Sequence, residues 1–336
     1  MKTFEDKNIL VTGGTGSFGK DFINNILNNE NPNKIIVFSR DELKQYEMEA
    51  KFNDDRIRFF IGDVRDQQRL QEACEGVDVI VHAAALKQVI AAEYNPIECV
   101  KTNILGAENV IKAAITNKVA KVLALSTDKA ASPINLYGST KLASDKLFIA
   151  ANNIVGSKEN KFSIVRYGNV LGSRGSVLNL FKKLINEGNS FLPITDDKMT
   201  RFIITLTQGV NFVKDILNRM QGGEIFIPKL PSVKITDLAY ALSSDIELKI
   251  IGKRPGEKIH EILCPRESSY LTLEFSKHFV IMPSIQINKK YNYYTDLLDE
   301  TGKNVDENFE YASNLNDKFL TVEEIKQMIK ISKYEL

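Results

Sequence analysis

Tyr137 and Lys141 stand four residues apart, so on a helix they share one face. A Lys ammonium beside a phenol favours the phenolate and draws down a pKa that starts near ~10. That makes Tyr137 a base for oxidising a substrate hydroxyl. Asp128 and Lys129 lie just upstream, in Ser126-Thr127-Asp128-Lys129, and add an acid and a base. To act as a base, Lys129 must be neutral for part of a cycle, so its pKa is expected to fall from about 10.4 toward roughly 7–8. Burial and Lys141 push it that way and Asp128 opposes them; the competing reading is a plain Lys129–Asp128 salt bridge. A redox group plus an acid–base pair exceeds what alcohol oxidation needs. It suits oxidation of a carbon, elimination of water and return of the hydride. A Tyr-x-x-x-Lys spacing alone is weak, because many amphipathic helices carry one, so its weight rests on its setting.

That setting is a nucleotide-binding pattern. Gly13, Gly16 and Gly19, within Thr12-Gly13-Gly14-Thr15-Gly16-Ser17-Phe18-Gly19, join a strand-like run to a helical one. Such glycines allow a tight turn and close approach to a pyrophosphate, with the helix N-terminus facing the negative charge. At the end of the second strand an NAD site usually places an acidic residue. Here Ser39-Arg40 stands there with Lys44 one turn on, which suits a 2′-phosphate and favours NADP; the alternative makes Asp41 the ribose ligand. Asp63 and Val64 follow the third strand, where adenine would lie. Ala83, Ala84 and Ala85 keep the next strand end slim, and Lys87 reaches the nicotinamide side or the substrate.

The elements that position these groups alternate. Strands are expected at 8–12, 34–38, 58–61, 77–82, 121–126 and 162–166, with helices at 17–28 and 41–52, Asp41 being an N-cap. Buried runs separated by helices indicate an α/β fold with a doubly wound parallel sheet and right-handed crossovers. After Asn169 the rhythm changes. The segments 172–176 and 192–195 read as loops, and a helix at about 206–220 packs back on the sheet. The expected division is a dinucleotide-binding domain over 1–170, joined by 205–222, and a smaller substrate lobe over 171–204 and 223–336.

With 44 basic and 43 acidic side chains, a formal charge of +1 leaves no global basic field for nucleic acid or an anionic membrane. Cys74, Cys99 and Cys264 are widely spaced and read as thiols of a reducing compartment. His82, His260 and His278 have no metal-ligand spacing, so no metal is expected. Without an apolar run near the ~20 residues of a membrane helix or a signal-peptide core, a soluble cytoplasmic protein is expected.

Together these motifs resemble the extended short-chain dehydrogenase/reductase family. Thr127-Asp-Lys-Ala-Ala-Ser-Pro-Ile-Asn-Leu-Tyr137-Gly-Ser-Thr-Lys141, Arg166-Tyr-Gly-Asn-Val170, Gly172-Ser-Arg-Gly-Ser176, Met199-Thr-Arg201-Phe and Arg254-Pro-Gly-Glu257 are similar, within it, to the inverting UDP-N-acetylglucosamine 4,6-dehydratases of pseudaminic acid biosynthesis. The chain departs from that pattern at Gln88, Ile90 and Ile203, where His, Pro and Trp are usual. The resemblance implies UDP-N-acetylglucosamine as substrate and a homo-oligomer built from dimers, up to a hexamer. Arg's planar fork suits the diphosphate, which designates Arg201 and Arg254, with Glu257 on the ribose hydroxyls. Asn169, Ser173, Arg174, Val177, Thr195 and Thr200 complete the expected substrate set, with Lys87 shared. Asn103 either positions the catalytic region through a hydrogen bond or is structural. Two other functions compete: a UDP-sugar 4-epimerase, which needs Tyr137 and Lys141 but no elimination pair, and an NADP-sensing regulator without chemistry.

Overall fold

The computed structural model describes residues 3–155, 159–173, 175–285 and 291–334. The first half alternates as follows: β1 (Asn8–Thr12), α1 (Ser17–Asn29), β2 (Lys34–Ser39), α2 (Glu42–Phe52), β3 (Ile57–Ile61), α3 (Gln67–Ala73), β4 (Val79–His82). After them come α4 (Val89–Tyr94), α5 (Pro96–Val100), a π-helical turn (Lys101–Leu105), α6 (Gly106–Thr116), β5 (Lys121–Thr127), α7 (Leu136–Ile154) and β6 (Lys161–Tyr167). The second half holds β7 (Asn169–Val170), α8 (Val177–Asn186), β8 (Phe191–Ile194), β9 (Thr200–Ile204), α9 (Leu206–Arg219), β10 (Ile225–Pro228), β11 (Ser232–Lys234) and α10 (Ile235–Tyr240). It ends with β12 (Glu247–Ile250), β13 (Ile262–Cys264), β14 (Thr272–Glu274), β15 (His278–Ile281), β16 (Lys303–Asn304), β17 (Tyr311–Ala312) and α11 (Val322–Tyr334).

The main sheet runs β16-β14-β15-β10-β6-β5-β4-β1-β2-β3. From β3 to β10 every pairing is parallel, and β15, β14 and β16 add an antiparallel edge. Strand order reverses between β1 and β4, so a crevice opens outside their carboxyl ends, where ligands of such sheets bind. The strands that read as continuous apolar runs are those covered on both faces, such as β1, whose Ile9, Leu10 and Val11 are fully buried. A capping box starts α9: Thr205 Oγ1 accepts from Gln208 N at 3.1 Å, and Gln208 Oε1 accepts from Thr205 N at 2.9 Å. This helix packs against α1, with Lys214 paired to Glu30 at 2.7 Å.

A second, smaller core gathers Leu171, Phe181, Leu192, Ile203, Leu238 and Ile325 from β7 to β9, α8, α10 and α11. Two expectations differ from the structure here. Segment 192–195, read as a loop, is largely β8, paired in parallel with β12; its proline and short length hid a strand whose Leu192 and Ile194 point into the small core. The expected lobe took 223–336 whole, whereas β10, β14, β15 and β16 extend the main sheet, because Ile225, Ile227, Leu273 and Val280 pack on the larger core.

Candidate active site

The β1–α1 turn is shaped for an anion. Gly13 has φ +68°, and a Cβ there would lie 2.9 Å from Ala84 N, so only glycine lets the turn press on the end of β4. Gly16 caps α1 without a side-chain acceptor, which leaves the first-turn amides facing the cleft. Thr15 Oγ1 and Ser39 Oγ share a hydrogen bond of 2.8 Å that fixes this turn to the rim of β2. Gln45 holds the same rim, donating to Ser39 O at 2.9 Å and Phe60 O at 3.0 Å. These features fit a dinucleotide pyrophosphate.

Beyond the rim, Asp41 caps α2: it accepts from Lys44 N at 3.0 Å and ion-pairs with Lys44 Nζ. Arg40 is half exposed, 3.4 Å from Asp63 Oδ2. Burial would raise the Asp63 carboxyl, but hydrogen bonds from Arg65 and the charges of Arg40 and Arg65 hold it below the usual range.

Asn103, in the π-helical turn, is buried and bonds four ways. Its Oδ1 accepts from Leu86 N at 2.8 Å, and its Nδ2 donates to Leu86 O, Thr140 Oγ1 and Cys99 Sγ at 3.0, 3.0 and 3.3 Å. It therefore ties the loop carrying Lys87 to the helix carrying Tyr137. A π-bulge at such a place frequently marks a functional site.

The catalytic candidates converge where β5 ends. A short 3₁₀ turn over Asp128–Ala130 follows Thr127, whose Oγ1 donates to Asp128 Oδ1 at 2.8 Å. Asn135 caps α7 by accepting from Gly138 N at 2.7 Å. A Cβ on Gly138 would collide with Lys129 O, so this glycine lets α7 close on the turn. Tyr137, Lys141 and Asp145 then form one buried face of α7.

Electrostatics differ from the expectation for Tyr137. Burial, with Asp128 and Asp145 nearby, pushes the phenol up to about 12, against the Lys129 charge and the Thr127 hydrogen bond. Lys141 is lowered by its own burial, countered by Asp145. Desolvation outweighs the cation that acts on the phenol, which is Lys129 rather than the Lys141 that the spacing singles out.

Lys129 differs in the opposite sense. Its Nζ lies 3.1 Å from Asp128 Oδ1 and 3.1 Å from Glu261 Oε1. Burial alone would lower it, but the two carboxylates hold the ammonium above its ordinary value. The fall expected from sequence counted only Asp128; Glu261 is 132 residues along the chain.

A cleft of about 800 Å³ runs over all of this. It is lined by Gly13, Ser39, Arg40, Lys44, Asp63, Ala85 and Lys87 on the nucleotide side and by Asp128, Lys129, Tyr137 and Lys141 in the middle. Asn169, Ser173, Val177, Thr195, Arg201, Arg254 and Glu257 line the far side. Thr195 Oγ1 donates to Glu257 Oε2 at 2.9 Å, and Arg254 Nε lies 3.3 Å from the same oxygen. Arg201 is more committed than a free phosphate ligand would be: it donates to Thr200 O, Ile259 O and Lys258 O at 2.7, 2.9 and 2.9 Å. Thr200 sits behind the cleft, bonded to His260 Nδ1 at 2.8 Å and Ser313 Oγ at 2.7 Å. Arg174 lies outside the described residues. Sequence reasoning missed Glu261, which lines the cleft, and Asp145, whose place four residues after Lys141 was a usable signal.

Residues 9–283 match the family described as polysaccharide biosynthesis protein, a branch of the extended short-chain dehydrogenases/reductases. The chain belongs to this family. Among its members, a UDP-N-acetylglucosamine 4,6-dehydratase (inverting) of Campylobacter jejuni subsp. jejuni serotype O:2 is 56% identical over 97% of this chain and 98% of its own. A UDP-glucose 4-epimerase of Rickettsia canadensis is 40% identical over 98% of this chain and 97% of its own. The crystal structure of Pen from Bacillus thuringiensis superposes with a TM-score of 0.88 at 38% identity, covering 99% of both chains. The family thus accommodates both a dehydratase and an epimerase on this backbone. No helix among the described residues is long and apolar enough to cross a membrane.

Proposed function

We propose that this chain is an inverting UDP-N-acetylglucosamine 4,6-dehydratase that uses NADP and serves pseudaminic acid-type nucleotide-sugar biosynthesis. One observation carries the reading: the buried Tyr137–Lys141 face shares its cleft with an Asp128–Lys129 pair at 3.1 Å, an elimination pair that epimerisation does not need.

Tyr137, backed by Lys141, takes the proton of the sugar 4-hydroxyl. A nicotinamide dinucleotide held by the Gly13–Gly19 turn would supply the hydride acceptor for C4 and the hydride donor for C6, so no outside oxidant would be consumed. The ketone at C4 acidifies the C5 hydrogen, and Lys129 removes it. Asp128 hands a proton to the departing 6-hydroxyl, which leaves as water, and C5 takes up a proton from solvent on the opposite face. The proton that neutral Lys129 takes from C5 can pass across 3.1 Å to Asp128 Oδ1, which then delivers it to the 6-hydroxyl, so the pair returns to its starting charge.

NADP is supported by Arg40 and Lys44 at the β2 rim and by Asp41, whose carboxylate is engaged as the α2 cap. Arg254 is the diphosphate ligand with the most open guanidinium, its side chain 50% exposed. Exposed Ile90, Tyr94 and Ile97 on α4 and α5 support a dimer-based homo-oligomer. Three free buried thiols suit the cytoplasm.

The test is incubation of the enzyme with UDP-N-acetylglucosamine in deuterated water, followed by mass spectrometry and NMR. A product lighter by one water, deuterated at C5 and inverted there, is expected. An isomer of unchanged mass would replace the dehydratase by an epimerase, and turnover that demands a stoichiometric hydride acceptor would end the scheme.

A further inference from the structure

Glu261 has the features of a built part of the acid–base set, and none of them follows from its neighbours in sequence. Its backbone is clamped on both sides by Ser313: Glu261 N donates to Ser313 Oγ at 2.9 Å, and Ser313 N donates to Glu261 O at 2.8 Å. Ser313 Oγ is held in turn by Thr200 Oγ1 at 2.7 Å. Arg201 fixes the residues before it through the carbonyls of Lys258 and Ile259, and its Nε lies 3.8 Å from Glu261 Oε1. The carboxylate is 2% exposed. Its Oε1 meets Lys129 Nζ at 3.1 Å, while its Oε2 is buried without a hydrogen-bond partner, as is Asp128 Oδ2. A buried carboxylate left half satisfied costs stability unless the site uses its charge.

We propose that Glu261 is a positioning residue for Lys129: with Asp128 it fixes where the amine sits and sets the pH at which that amine sheds its proton. The inference rests on Lys129 being the C5 base in the proposed function. The groups facing Lys129 are Asp128 on its own turn, Glu261 before β13, Arg201 on β9, Lys258 on the preceding loop and Tyr137 on α7. Asp128 and Glu261 stabilise the ammonium, while Arg201 and Lys258 repel it. Activity needs the neutral amine, so the rate rises with pH through the Lys129 titration. Removing the Glu261 charge weakens the ammonium, lowers that pKa and moves the rising limb to lower pH.

The experiment compares the pH dependence of C5 proton exchange in wild type, Glu261→Gln and Glu261→Asp, assayed with UDP-N-acetylglucosamine. In Glu261→Gln the limb is expected to move acidward by about one pH unit or more. Glu261→Asp sets the charge one methylene back and should lie between the two. A Glu261→Gln profile parallel to wild type, lowered equally at every pH, would overturn the proposal in favour of a purely structural role. An arm free of turnover labels Lys129 with an amine-reactive reagent at one pH and reads the peptide by mass spectrometry. Labelling should be faster in folded Glu261→Gln than in wild type, and equal labelling overturns the proposal. If Glu261→Gln does not fold, Glu261→Asp carries the same comparison. Wild type that labels as expected but never dehydrates the sugar would sink the proposed function and leave the Glu261–Lys129 coupling standing.

Discussion

Arg166 and Asp145 meet at 3.0 Å in an ion pair whose side chains are only 3% and 2% exposed. The same Asp145 oxygen accepts from Ser126 Oγ at 2.7 Å, and Arg166 Nη1 donates to Leu263 O at 3.2 Å. One carboxylate thus ties β5, β6, α7 and β13 together directly beneath Tyr137 and Lys141. Asp145→Ala would strand a buried guanidinium and should cost about 3–5 kcal/mol, read from urea midpoints. It should also lower Lys141 further, because Asp145 is the charge that raises it. An unchanged midpoint would mean the pair contributes nothing to the fold.

That ion pair also shows what the sequence could and could not reveal. Asp145 continues the four-residue spacing of Tyr137 and Lys141, a local signal for its place on that face that sequence reasoning nevertheless passed over. The glycine turn, the parallel, doubly wound sheet and the Asp41 cap were legible because each follows from a local pattern with a local cause. Glu261 was not, because it reaches Lys129 through Arg201 and Ser313, partners far apart in sequence that only the tertiary fold assembles. The signs of the Tyr137 and Lys129 shifts escaped for a related reason. Spacing names the nearest charge but does not weigh it against desolvation and a remote carboxylate.

The nucleotide turn gives a controlled test. Gly13→Ala places a Cβ 2.9 Å from Ala84 N on a backbone with φ +68°, exactly where the pyrophosphate turn must close, so NADPH binding should be lost. Gly188→Ala carries a similar φ of +77° with nothing within 4 Å, and should cost roughly 1 kcal/mol of stability with binding intact. Titration by NADPH fluorescence separates the two; equal affinity in both variants would move the dinucleotide elsewhere.

Cofactor choice turns on Arg40. Its side chain is 53% exposed, and among the described residues its carboxylate contact is Asp63 at 3.4 Å. Losing one charge-assisted contact to a 2′-phosphate is worth about 1.5 kcal/mol, so Arg40→Ala should weaken NADP about tenfold and leave NAD unchanged. Calorimetry with both nucleotides checks this. An equal loss for both would place Arg40 on a part the two cofactors share.

His82 predicts a pH dependence of stability. It is buried, hydrogen-bonded to Thr12 Oγ1 at 2.7 Å, and burial followed by the Lys141 charge lowers it to about 3. Between that value and the ordinary ~6.5, the unfolded chain binds a proton that the folded one refuses, so stability falls as pH drops through this window. His82→Gln removes one such proton and should flatten the slope by about 1.4 kcal/mol per pH unit. Urea unfolding at three pH values within the window would show it; an unchanged slope would mean the imidazole is protonated in the fold. His278, lowered to about 4 chiefly by burial, keeps part of the acid sensitivity in the variant.

Lys129→Ala separates chemistry from architecture. The side chain lies between two carboxylates rather than inside the apolar core, so its removal leaves the sheet and the glycine turn untouched and NADPH affinity should hold. The same urea midpoints report its stability, which should fall by about 3 kcal/mol or more because two buried carboxylates lose their shared ammonium. Dehydration and C5 exchange, by contrast, should drop about 10²-fold or more, the usual contribution of a positioned general base. The proposed scheme assigns oxidation at C4 to Tyr137 and Lys141, so a transient NADPH absorbance on adding UDP-N-acetylglucosamine should persist in the variant. A folded Lys129→Ala protein that washes deuterium into C5 at the wild-type rate would take the base role away from Lys129. The remaining carboxylate beside Lys129 would then be the next candidate: Glu261, which lines the same cleft and has a buried, unpartnered Oε2.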